Sequence, residues 1–408
     1  MRHTENFFTF QPIIALSIVI YLQKGNKKGE VEVKQLIPSS KVGVKIHEWY
    51  KMIREFSVPD AEALKEEVEK DINQMEEDQD LLLYYQLMCF RHQLMLEYLE
   101  PTKKRKHGSS LLELLAQIEE PRRDLNGLLS YYSFFFRGMY EFEKKQYIKA
   151  IEFYRNAEKQ LSLITDVIEQ AEFHFKMAEA YYIMKQTHVS MYHILRAFKI
   201  YNNHELYKVR KIQCLFVIAG NYDDLMCHDK ALPHLENALE LAIEINNKRL
   251  ISSAYFNIAD CHECMGDIDA AVEYAEKAVE INLKEEYNNL PQSLYYFTQL
   301  LFKQKNYERA IEIFRIGRQT ARKFNDTLFT SLFEYLEALY IYSVNKEEIL
   351  EVFKYLEENK IYAYIEELSL EVSNQYLERK DHRNSIEFLQ KMMYAQTQIK
   401  KGECVYEY

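Results

Sequence analysis

The stretch MEEDQDLLLYYQLM, Met75 to Met88, sets one neutral amide, Gln79, among the acids Glu76, Glu77, Asp78 and Asp80, directly ahead of an apolar run. An amide is too weak a base to abstract a proton, but it accepts a hydrogen bond from one group while donating to another. Beside a phosphoryl group it can hold a water in line for attack, a part that glutamine plays in other phosphoryl hydrolases. The same residues have a plainer use. Acids in the first turn of a helix interact with its dipole, each by about 0.3–1 kcal/mol. On chemistry alone, Gln79 reads as a bystander to such a helix start.

Asn221 in CLFVIAGNYDDL and Asn257 in SAYFNIADC fall at similar places in consecutive helices. An asparagine facing a groove donates to and accepts from the backbone of an extended ligand. Asp224, one turn after Asn221, suits a cationic ligand side chain. Hydrogen bonding between neighbouring helices would use the same residues, and spacing alone leaves both uses open. Cys261-His262-Glu263-Cys264 is a lone C-x-x-C, with Cys227-His228 one repeat earlier. A structural zinc site built from both is conceivable, but without a second C-x-x-C these cysteines read as structural thiols. His188, His193 and His204 have no Cys or acid at nucleophile spacing and read as packing residues. The sequence has no Gly-rich phosphate loop, HExxH, GxSxG or kinase signature. No resident metal ligand is assigned.

The elements that hold these residues are helical. Only 10 Gly and 7 Pro serve 408 residues, too few to interrupt long helices often. VGVKIHEWYKMIREF places Val44, Ile46, Trp49, Ile53 and Phe56 on one stripe. Ser57 then reads as an N-cap with Pro59 in the first turn, and a third helix runs from about Asp78 to Leu99. Three such helices make a bundle over residues 37–100. PTKKRKHGSS opens a linker with a helical segment over 101–123, whose basic cluster reads as a solvated loop. The aromatic run Tyr131 to Phe136 reads as helix core at the junction between bundle and repeats.

From residue 124 to 408 a pattern repeats every ~40 residues. YIKAIEFY at Ala150, HVSMYHIL at Ser190, DKALPHLE at Ala231, IDAAVEYA at Ala270, YERAIEIF at Ala310 and HRNSIEFL at Ser385 carry it, with a weaker copy near Glu348. Small residues at the close contacts suit tetratricopeptide repeats. The expected fold is all-α: a three-helix bundle, then a right-handed superhelix of about seven repeats whose concave side binds extended peptides. Residues 1–36 are set aside as a leader of doubtful structure, since the apolar stretch Pro12 to Leu22 is shorter than the roughly 18–20 residues that span a bilayer. No stable membrane association is expected. A net charge of −11 argues against direct binding of nucleic acid. Six cysteines in a chain this long fit reduced thiols in the cytosol better than a disulfide framework.

Several stretches together resemble the Rap proteins: IPSSKVGVKIHEWYKMIREFSVPDAEALKEEVEKDINQMEEDQDLLLYYQLM, CFRHQLMLEYLEP, FFRGMYEF, YYIMKQTHVSMYH, CLFVIAGNYDD and KGECVYEY. The resemblance implies a bundle that binds a phosphorylated response regulator of the sporulation phosphorelay and hydrolyses its aspartyl phosphate. The glutamine of EEDQD, here Gln79, would be catalytic, with Asp78, Tyr84, Leu87 and Phe90 in regulator binding. Water would be the nucleophile, and Mg²⁺ would come with the substrate regulator, so no intrinsic cofactor is implied. The resemblance also implies a cytoplasmic protein, switched off by a short Phr-type penta- or hexapeptide in the repeat groove. Asn221, Asp224 and Asn257 would contact that peptide, with Glu179, Tyr181 and Tyr182 nearby. The alternative within the family is a non-catalytic anti-activator that binds the DNA-binding domain of a competence regulator.

Overall fold

The computed structural model describes residues 36–99, 114, 127–342 and 344–401. The expected leader lies outside these apart from Leu36, and the expected linker apart from Leu114. No strand occurs among the described residues, which form helices joined by short turns. No helix among them is long and apolar enough to cross a membrane.

The first three helices are α1 (Ser39–Arg54), α2 (Val58–Ile72) and α3 (Gln79–Leu99). In α1 the buried stripe is Val42, Ile46, Trp49, Tyr50 and Ile53. The expected stripe included Val44, which is 60% exposed instead, because two residues beyond Val42 the helix has turned to its other side. Ser57 stands at the N-cap position of α2, but its hydroxyl donates to the Asp60 carboxylate at 2.6 Å and makes no cap bond. The segment between α2 and α3 returns to the start of α1. Ile37 N–H donates to the Gln74 carbonyl at 2.9 Å, and Glu76 N–H donates to the Ile37 carbonyl at 3.0 Å. The Glu76 carboxylate also accepts the Ser39 N–H at 2.8 Å, capping α1.

Among the described residues seven helix pairs follow: α4 (Leu128–Glu143) with α5 (Tyr147–Glu158), α6 (Val167–Ile183) with α7 (Thr187–Tyr201), and α8 (Lys208–Asp224) with α9 (His228–Glu244). Then come α10 (Lys248–Cys264) with α11 (Ile268–Glu285), α12 (Leu290–Lys303) with α13 (Tyr307–Lys323), and α14 (Thr327–Leu336) with α15 (Lys346–Glu358). The last pair is α16 (Tyr362–Glu378) with α17 (His382–Lys400). One π-helical turn, Glu337–Ile341, extends α14. Ala150, Ser190, Ala231, Ala310 and Ser385 are buried where the helices of a pair meet. In the fourth pair the buried small residue is Ala271 rather than Ala270, a one-residue shift that turns the side chain by about 100°. Ile349 fills the corresponding place in the weak sixth copy. At Gly317 the Phe333 ring leaves no room for a Cβ.

The tight turn inside a pair needs one left-handed residue. Gly266 takes it between α10 and α11 (φ +82°), but lysines take it in four other pairs: Lys145, Lys185, Lys305 and Lys380. An L-residue with a Cβ pays roughly 1–2 kcal/mol there. Lys305 is exposed, so a Lys305→Gly variant is expected to gain about 0.5–1 kcal/mol after the entropy of the freer unfolded chain is subtracted. A higher urea midpoint would register it.

The bundle and the first repeats share one core. Trp49, Tyr50 and Phe90 lie in the same apolar cluster as Tyr131, Phe135, Tyr154 and Phe173. A polar seam crosses this core at α6. Glu169, fully buried, accepts from the Tyr50 hydroxyl at 2.6 Å, the Tyr131 hydroxyl at 3.0 Å and Arg54 at 3.3 Å. Glu172 accepts from Arg210 at 2.8 and 2.5 Å, from the Tyr201 hydroxyl at 2.9 Å and from Arg91 at 3.3 Å.

Candidate functional site

Gln79 is the first residue of α3 and is exposed. The Asp78 carboxylate accepts the Leu81 N–H at 3.0 Å and so caps the helix. The Gln79 amide donates to the Glu77 carboxylate at 2.9 Å, which leaves its carbonyl oxygen facing solvent. Because Ile37, Met75 and Glu76 bind this segment to the start of α1, the amide sits on a braced corner. Below it on the same face come Leu82 and Gln86, both half-buried.

The other expected regulator contacts on α3 divide. Tyr84 is half-buried and lies 5.6 Å from Tyr132, ring to ring. Leu87 and Phe90 are 1% and 0% exposed. Their expected place on a docking surface is therefore corrected: with Leu83 and Leu94 they form the stripe of α3 that fills the bundle core.

A cavity of about 230 Å³ opens between α6, α8, α9 and α10, lined by Tyr182, Gly220, Asp223, Asn257, Asp260 and Cys261 among others. A Cβ at Gly220 would stand 2.6 Å from the Tyr182 hydroxyl, so the Tyr182 ring would have to shift to admit one. Asn257 and Tyr182 both line this cavity. Asn221 does not. It is fully buried, and its amide donates to the Ser190 hydroxyl at 2.9 Å, which in turn donates to the Ala178 carbonyl. Asp224 is already paired with Lys185 at 2.6 Å. Tyr181 is buried, with Arg155 donating to its hydroxyl at 2.9 Å. Glu179 pairs with Lys176 at 2.7 Å and lines a separate, smaller pocket at the seam with Arg91 and Arg210. His193 packs its Nδ1 against that of His174 at 2.9 Å in the interior.

Asp223 and Asp260 line this cavity, and sequence reasoning passed them over. Burial, then the neighbouring Asp223 and Glu263 carboxylates, push the Asp260 carboxyl up to about 7. Among the described residues that line the cavity there is no Lys or Arg, and Asp223 and Asp260 are its acidic groups. For Asp260 a signal was available: N-x-x-D at Asn221–Asp224 recurs at Asn257–Asp260.

A family model described as the N-terminal part of response regulator aspartate phosphatase H matches residues 36–97, and a tetratricopeptide-repeat model matches residues 215–284. The chain is 51% identical to response regulator aspartate phosphatase H of Bacillus subtilis (strain 168) over 376 residues, which is 92% of this chain and 100% of that protein. It is 49% identical to response regulator aspartate phosphatase A of the same organism over 377 residues, again 92% and 100%. Among solved structures, a Rap protein complexed with competence and sporulation factor superposes with a TM-score of 0.79 at 38% identity, covering 89% of this chain and 99% of that one. The chain belongs to the Rap family of response regulator aspartate phosphatases.

Proposed function

We propose that this chain hydrolyses the aspartyl phosphate of a response regulator of the sporulation phosphorelay, with Gln79 orienting the attacking water. The carrying observation is the exposed Gln79 amide on the capped and braced first turn of α3. Its carbonyl oxygen accepts from water while its N–H₂, released from Glu77, donates to a phosphoryl oxygen. The phospho-aspartate and its Mg²⁺ belong to the substrate regulator, and the chain supplies position and hydrogen bonds. Such regulators are cytoplasmic, which places the reaction there. Incubating the protein with a ³²P-labelled regulator tests the activity: label should leave the regulator as inorganic phosphate. Loss of a regulator–promoter complex in a gel shift, with the label retained, would instead identify an anti-activator.

Regulation belongs to the groove. The cavity between α8 and α10 has the shape and charge for a cationic side chain of a short signalling peptide, with Asp223 and Asp260 facing the charge and Asn257 holding peptide backbone. The relative solved with competence and sporulation factor supports this reading. An Asn257→Ala variant should bind an inhibitory Arg-containing pentapeptide about tenfold more weakly, the worth of one or two hydrogen bonds. Calorimetry measures it, and uninhibited phosphatase activity should be unchanged.

A further inference from the structure

Beside the groove cavity, one carboxylate oxygen of Asp223, one ring nitrogen of His228 and the Cys264 sulfur all lie within 4.8 Å of one another. They come from three helices, the end of α8, the start of α9 and the end of α10. Two of them already touch, the Asp223 carboxylate meeting His228 Nδ1 at 2.5 Å. Cys264 is exposed and free. Its C-x-x-C partner does not share the site: the buried Cys261 thiol donates to the His228 carbonyl at 3.4 Å. Cys227 likewise turns away, to the Leu225 carbonyl. Asp260 stands one turn before Cys264 on the same helix and lines the adjoining cavity.

We propose that Asp223, His228 and Cys264 form a binding site for a zinc-class divalent cation on the wall of the groove. A thiolate, an imidazole and a carboxylate are the donor types that zinc takes, at about 2.0–2.3 Å each. In a tetrahedral site such ligands stand roughly 3.5 Å apart, so rotations of side chains at three helix ends bring the set together. Binding releases the Cys264 proton to solvent. One thiolate and one carboxylate then balance the dication, and three protein ligands leave the fourth position open to water or a groove ligand.

Cobalt(II) reports the site directly. Added to metal-stripped full-length protein under reducing conditions, it should give a thiolate-to-metal charge-transfer band and the visible spectrum of a tetrahedral ion. The band should saturate at one equivalent and vanish when Zn²⁺ is added. Cys264→Ser should abolish it, Cys227→Ser should retain it, and His228→Ala should weaken Zn²⁺ binding at least about tenfold. Circular dichroism of each metal-free variant establishes that it is folded. A wild-type protein without the band overturns the proposal, as does a band that survives Cys264→Ser or a His228→Ala affinity equal to wild type.

Discussion

Replacing Gln79 by Ala is expected to slow dephosphorylation of the bound regulator by about 10²–10³-fold, the usual effect of removing one group aimed at a developing charge. Regulator binding should stay within about twofold. The two effects separate because Gln79 sits at the tip of the α3 corner, where its side chain makes one bond, to Glu77, two residues away. Nothing in the bundle core rests on it. The thermal midpoint should therefore not move. Two further variants identify the chemistry. Gln79→Glu keeps the shape but exchanges a donor for a negative charge, which repels the phosphoryl oxygens, so it should be as slow as Gln79→Ala. Gln79→Asn keeps the amide but shortens its reach by one methylene and should recover little. Single-turnover decay of labelled regulator at saturating enzyme isolates the chemical step. Hydrolysis at the wild-type rate in Gln79→Ala would remove the glutamine from the mechanism.

Much of this molecule can be read from its sequence, and the misses have a common physical origin. Helix content, the repeat and its small residues follow from periodicity and from the scarcity of Gly and Pro. What periodicity leaves open is rotation about each helix axis. Val44 and Ala270 were each placed on the right helix and the wrong face, because a one- or two-residue error turns a side chain by about 100–200°. The groove adds a second difficulty. A cavity between two parallel helices sees one flank of the first and the opposite flank of the second. Asn221 and Asn257 hold equivalent places in their repeats, yet only Asn257 lines the cavity, while Asn221 turns inward to Ser190. On α8 the lining residues are instead Gly220 and Asp223. Gln79 falls at the start of its helix for a different reason. Its position rests on the helix start, and an acid-rich stretch before an apolar run marks a start reliably. The role proposed for it comes from the family resemblance, since neither spacing nor burial distinguishes a water-holding glutamine from a bystander.

Glu172→Gln should destabilise the protein by about 3–5 kcal/mol, the cost of leaving buried cations without their anion. The carboxylate is 1% exposed, and Arg91 and Arg210, each 4% exposed, both donate to it. Arg91 belongs to α3, Glu172 to α6 and Arg210 to α8, so this one group ties the bundle to two repeats. An amide of the same size keeps the packing and removes only the charge. Acid unfolding gives an independent measure. Burial alone would raise the Glu172 carboxyl, but the Arg210 and Arg91 guanidiniums overcome it and hold the group down to about 2, against an ordinary 4.5. A depressed carboxyl stabilises the fold above its unfolded value, and that stabilisation is lost as pH falls from about 4.5 toward 2. It amounts to about 3 kcal/mol. Glu169, one turn away, acts with the opposite sign: burial raises it, so its contribution falls as pH rises above 4.5. The two windows do not overlap. Urea midpoints measured from pH 5 down to pH 2.5 should thus fall less steeply in Glu172→Gln than in wild type. Adding Arg210→Met to Glu172→Gln removes one of the orphaned charges and should return part of the loss, so that the double variant is more stable than the sum of the single changes. If the single variant lost less than about 1 kcal/mol, or the double variant were merely additive, the seam would not be held by charge, and the shared aromatic core would be what fixes the bundle on the repeats.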